Sequence, residues 1–156
     1  MVEFALILPI LMFILTGFFD LGRVVLAHDA AGHAAREAAR YAIVHGGSLA
    51  NACPVGPAAP TAVVPAANVS CPYPSPSKES IRVEAREQAA AAGSNVIVEV
   101  CYGVGCSGDT DTVGATNARG TPVTVTVRAS VAMAAASLLG VSSFDVASSS
   151  TMLVNH

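Results

Sequence analysis

The sequence predicts an α+β protein in which one long N-terminal helix packs, together with a second short helix, on a small, about three-stranded, mostly antiparallel sheet. Three observations carry this. An apolar run opens the chain, an alanine-lined stretch continues it at helical spacing, and the second half alternates at period two with valine on one side. At 156 residues there is room for one compact domain beside such a helix.

The helix begins in a segment fit for lipid. Between Phe4 and Phe19 there is no charge, and only Pro9, Thr16 and Gly17 are not hydrophobic. At 1.5 Å per residue this run covers roughly 24 Å, and roughly 36 Å when extended to Ala27, which is enough to span a bilayer. No basic stretch precedes it and no small-residue cleavage site follows it, so it does not read as a secretory signal. Residues 1–27 are therefore expected to form a transmembrane segment. Glu3 stands at its start, where a carboxylate either stays at the interface or meets a compensating charge. Asp20 and Arg23, three apart on one face, are expected to pair at its outer edge.

Residues 28–47 read as an amphipathic continuation. Asp29, His33, Arg36, Glu37 and Arg40 fall in one sector, and Ala27, Ala31, Ala35, Ala38 and Ala42 in the opposite one, a stripe small enough to admit another backbone closely. Gly46 and Gly47 stop the helix, one of them at the left-handed cap position.

Residues 48–156 form the remaining domain. The stretch 48–76 holds most of the prolines and can be neither helix nor inner strand. Residues 77–92 predict a short helix with Ser77 as N-cap, Ile81, Ala85, Gln88, Ala89 and Ala92 on one face, and Gly93 beyond its end. Strands follow at about 95–101, 121–130 and 143–154, the first two joined by the Gly-rich segment 102–120 and the last reached through an Ala-rich stretch, 131–140. The four cysteines, Cys53, Cys71, Cys101 and Cys106, lie in loops rich in Pro, Gly and Ser, which suggests disulfides and an oxidising compartment. Cys53 and Cys71 suit fastening of the Pro-rich loop, and Cys101 and Cys106 a small loop at a strand end.

Composition excludes several functions. A net charge of -3 from scattered side chains, with three Tyr, five Phe and no Trp, supplies neither phosphate neutralisation nor base stacking, so no nucleic acid is expected. Gly103, Gly105 and Gly108 spell a dinucleotide fingerprint, but acidic residues and Gly114 follow where a helix should begin. Asp109 and Asp111 lack the remaining ligands of a calcium loop, and a solvated hairpin tip is the expectation. His28 and His33 are five apart and face different sides of the helix, unlike a zinc pair. No nucleophile with a base stands out. Neither a cofactor nor a small-molecule substrate is expected, and the protein does not read as an enzyme.

The residues Val2-Glu3-Phe4-Ala5-Leu6-Ile7-Leu8-Pro9, Asp20-Leu21-Gly22-Arg23 and Ala34-Ala35-Arg36-Glu37-Ala38-Ala39-Arg40-Tyr41-Ala42 resemble the TadE-like family, pilin-like proteins of the tight-adherence (Flp) pilus machinery. The resemblance is dense over residues 2–45. It implies a pseudopilin-type, single-pass protein of the bacterial inner membrane, its C-terminal domain outside the cytoplasm, acting in pilus assembly alongside other pilin-like subunits and platform proteins. Processing by a prepilin peptidase is implied as well, after a Gly shortly before the Glu that Glu3 matches, although only Met1 and Val2 precede Glu3 here. It also implies that Glu3, Pro9, Asp20, Arg23, Ala31, Ala35, Arg36, Glu37, Ala38, Arg40 and Tyr41 serve helix packing and assembly. Arg23, Arg36 and Arg40 follow the span, and taken alone would keep the domain in the cytoplasm; the cysteines and the resemblance place it outside. The alternative is a membrane-anchored extracytoplasmic ligand-binding or sensor module using loops 48–76 and 102–120.

Overall fold

The computed structural model describes residues 2–46, 55–57, 78–93, 95–137, 140 and 142–155. Helix α1 spans Val2–Val44, α2 spans Glu79–Gln88 and runs into a 3-10 turn at Ala90–Ala92, and α3 is the single turn Ala134–Ser137. Strands β1 (Val96–Tyr102), β2 (Pro122–Ala132) and β3 (Ser143–Leu153) form one antiparallel sheet in that order. The architecture is α+β, as the sequence predicts.

Alternation decides which face of the sheet is covered. Val98, Val100 and Tyr102 of β1, Val123, Val125, Val127 and Val131 of β2, and Val146 of β3 are buried on one side. Each such valine removes apolar area worth about 1.5–3 kcal/mol from water. The other side stays polar and is tied by cross-strand pairs: Thr124 with Thr151 at 2.8 Å, and Arg128 with Glu99 at 3.3 Å.

The C-terminal half of α1 lies on the valine face. Ala27, Ala31, Ala34, Ala35, Ala38, Ala39 and Ala42 are all at most 2% exposed, so the stripe read from the sequence is wider by two alanines. Gly32 is buried too, and a Cβ placed there would sit 3.5 Å from Ser148 Oγ of β3. Residues this small let the helix axis approach the sheet closely. α1 and β3 run the same way: Ala135 N–H reaches Asp20 at one end, and Asn155 N–H donates to Ile43 O at the other.

Several local expectations are corrected. α2 begins at Glu79, its N-cap is Lys78 with no side-chain capping bond, and Ser77 lies outside the described residues. Gln88 leaves the buried face and donates to Glu84 instead. Of the two glycines expected to stop α1, Gly46 has no positive φ and Gly47 lies outside the described residues; His45 N–H donates to Tyr41 O, and the His45 ring lies 4.2 Å from that of Tyr41. Part of the Ala-rich connection folds as α3. Of the Pro-rich stretch only residues 55–57 are described, and there Val55 is buried and its N–H donates to His45 O.

The closeness of α1 to the sheet predicts that Ala38→Leu overpacks the contact and destabilises the full chain by about 1–3 kcal/mol. Arg40→Ala on the exposed face should change stability by less than about 0.5 kcal/mol. Urea midpoints in detergent would measure both.

Candidate functional site

Two regions carry the features that a function could use: the apolar half of α1, and the far end of the sheet around β1. In the first, Phe4, Leu6, Ile10, Phe13, Phe18 and Phe19 are among a continuous series of exposed large hydrophobics that ends at Leu26. Only 11% of the most apolar window is buried, so these residues do not serve the core of the domain. α1 is the one described helix long and apolar enough to cross a membrane. Its internal polar group is already satisfied, since the Thr16 hydroxyl lies 2.9 Å from Met12 O and 3.0 Å from Phe13 O.

The residues singled out in the sequence divide by position along this helix. Glu3 falls in the first turn and Pro9 within the apolar half. Asp20 is 4% exposed and turned toward the domain, where its Oδ2 accepts the Ala135 N–H at 2.6 Å. The carboxylate thus secures the β2–β3 connection to α1 at the point where the apolar run ends, a role that spacing to Arg23 did not suggest. Arg23 is exposed and lines a cleft. Ala31, Ala35 and Ala38 are consumed by the intramolecular contact with the sheet, and Tyr41 is half-buried beside it. Arg36, Glu37 and Arg40 stand exposed on the outer side, Arg40 lying 3.7 Å from Glu37.

At the far end, residues 103–121 are not a free hairpin tip. Cys101 and Cys106 are joined by a disulfide; Cys53 and Cys71 lie outside the described residues. Beyond it the chain folds back along the outer edge of β1. Val100 N–H donates to Asp109 Oδ1 and Tyr102 N–H to Asp111 Oδ1, each at 2.8 Å. Two carboxylates, two residues apart, thereby satisfy two outward-facing amides of the edge strand, which also have a spacing of two. Lys78 Nζ reaches Asp111 Oδ1 at 2.7 Å and Asp109 O at 2.8 Å, while Arg82 lies 3.0 Å from Asp109 Oδ1. The start of α2 is thus bound to the loop and to β1 at once. Gly103 allows the fold-back: its φ is +105°, and a Cβ there would meet the Thr112 side chain at 2.5 Å.

Partial burial works against ionisation of Asp109, but the Val100 amide, the Arg82 guanidinium and the Lys78 charge outweigh it and hold its pKa below the usual carboxylate range. Tyr102 shows the opposite case. Its hydroxyl is buried beneath Gly56 without a hydrogen-bond partner among the described residues, and burial, aided by the charge of Asp111, pushes its pKa up. Among the described residues no three His, Cys, Asp or Glu side chains come together as a metal ion would require.

The geometry defines a class: a helix-anchored α+β protein, half of whose principal helix is core and half an exposed apolar rod. Residues 1–40 match the family model described as TadE-like protein, so the resemblance read from the N-terminal motifs is borne out over that segment. No curated protein and no solved structure matches the chain.

The lowered pKa of Asp109 fixes a sign. Its contribution to stability is present above the unfolded-state pKa of about 3.9 and is lost as pH falls through the lower folded value. Asp109→Asn should therefore be less stable than wild type at neutral pH and lose less on acidification below about pH 4, as thermal midpoints across a pH series would show. Tyr102→Phe removes a buried hydroxyl that has no partner among the described residues and should be neutral or stabilising, by up to about 1 kcal/mol, in the same melts.

Proposed function

We propose that the chain is a pilin-like, membrane-anchored component of tight-adherence (Flp) pilus assembly, with a structural or assembly role and no catalytic one. The observation that carries this is the division of α1. The segment matched by the TadE-like family model contains both the exposed apolar rod and most of the alanine stripe that fastens it to a folded domain. Such a helix cannot rest in water without association, because contiguous exposed apolar surface of this extent marks a membrane or protein contact.

In this reading residues 1–27 cross the bacterial inner membrane, residues 28–47 form the arm, and residues 48–156 complete an extracytoplasmic domain. The disulfide between Cys101 and Cys106 supports the oxidising side. Glu3 would meet a positive amino terminus of a neighbouring pilin-like subunit when helices bundle, which removes the cost of a lone carboxylate in lipid. The outward groups of the arm, Arg36, Glu37 and Arg40, remain available to platform proteins.

Deleting the gene should abolish surface pili and adherence and leave general secretion intact, with filaments counted by electron microscopy. Normal piliation in the deletion strain would refute the assembly role. Co-purification supplies a second check, since a bound small molecule in place of pilus-platform proteins would favour a sensor module.

A further inference from the structure

Arg23 lies about 29 Å along the helix axis from Phe4. This is the height at which a hydrocarbon layer of about 30 Å gives way to headgroups. Its guanidinium makes no ion pair or hydrogen bond among the described residues, whereas Arg40, Arg82, Arg86 and Arg128 each face a carboxylate.

The surroundings of Arg23 are shaped. A cleft of about 240 Å³ opens between α1 at Arg23 and Ala27, the end of the 3-10 turn at Gly93, and the last residues of β2, Ser130 and Ala132. The cleft exists because β2 outruns β1. Pairing between them begins at Val96 opposite Ala129, so β2 continues for three residues with β3 alone on its other side.

Backbone parity then sets what the overhang presents. Gly103 N–H bonds to Pro122 O, while Val100 and Tyr102 direct their amides away from β2. Even-numbered residues of β2 therefore turn their N–H and C=O groups toward the β1 side. At Ala132 no β1 residue stands opposite, and Ala132 lines the same cleft as Arg23.

We propose that this cleft holds the phosphate of an anionic membrane phospholipid, paired with the Arg23 guanidinium and supported by the Ala132 amide. The proposal rests on the membrane reading above. A guanidinium suits it because its planar donors match a phosphate in pairs, where an ammonium offers a point charge. Anionic lipid is favoured because Arg23 is left as an uncompensated positive charge at headgroup depth.

The test uses the full chain in nanodiscs of phosphatidylglycerol mixed with phosphatidylcholine, released into detergent and weighed by native mass spectrometry. Wild type should retain one phosphatidylglycerol in preference to phosphatidylcholine. Arg23→Gln should lower that retention about fivefold, Arg23→Lys less, and Arg36→Gln, on the exposed arm, not at all. Equal retention by wild type and Arg23→Gln overturns the proposal, as does complete displacement of the lipid by inorganic phosphate. Flotation with vesicles separates the two levels. If wild type and Arg23→Gln both float, a failed retention result concerns the cleft alone; a wild-type chain that does not float defeats the membrane reading itself.

Discussion

The structure depends on how near α1 can come to the valine face of the sheet. Alanine at seven positions, with Gly32 opposite Ser148, brings two backbones into close contact, but alanine buries little apolar area. The sheet supplies most of the hydrophobic burial and the helix supplies the cover. Polar ties at each end hold the cover in place: Asp20 to the Ala135 amide, and Ile43 and His45 carbonyls to the Asn155 and Val55 amides. Hydrogen bonds of this kind are directional and therefore fix register along the helix, which a smooth alanine stripe would leave loosely specified.

The same economy appears at the edge of the sheet. Unpaired strand amides invite other chains, and proteins commonly blunt them with charge or with a covering segment. Here both devices act together, because Asp109 and Asp111 bond to β1 amides and their charges are matched by Lys78 and Arg82 from α2. The disulfide shortens the path by which the loop returns, so the ordering cost of placing two carboxylates on one strand is partly met before they bind.

Periodicity made the fold legible. The switch from spacing near 3.6 to spacing of two located α1 and all three strands to within two residues, because in each the buried side chains face one surface. What was hidden involved partners distant in sequence. Proximity on the helix points Asp20 toward Arg23, while in the structure its carboxylate accepts the Ala135 amide, and backbone amides leave no mark in a sequence. Asp109 and Asp111 did carry a usable signal, a spacing of two that matches the free amides of a neighbouring strand, but recognising it requires knowing that β1 is an edge. The start of α2 is hard to read for a related reason, since Ser77 has the favoured capping chemistry and Lys78 holds the position.

The direction of α1 restricts how copies sharing one membrane could associate. Among the described strands β3 is the other edge of the sheet, and α1 runs parallel to it, with Asp20 near Ala135 and Ile43 near Asn155. Antiparallel pairing of two β3 edges requires a two-fold axis perpendicular to the sheet, and that axis reverses the second helix. Two chains anchored in the same bilayer with the same topology cannot satisfy it. Contact between such copies must then pass through surfaces that tolerate parallel helices, and the exposed apolar rod from Phe4 to Leu26 is one of these. In the bundle of parallel rods proposed above each Glu3 would lie near the helix starts of its neighbours, an arrangement compatible with both the direction of α1 and a shared membrane.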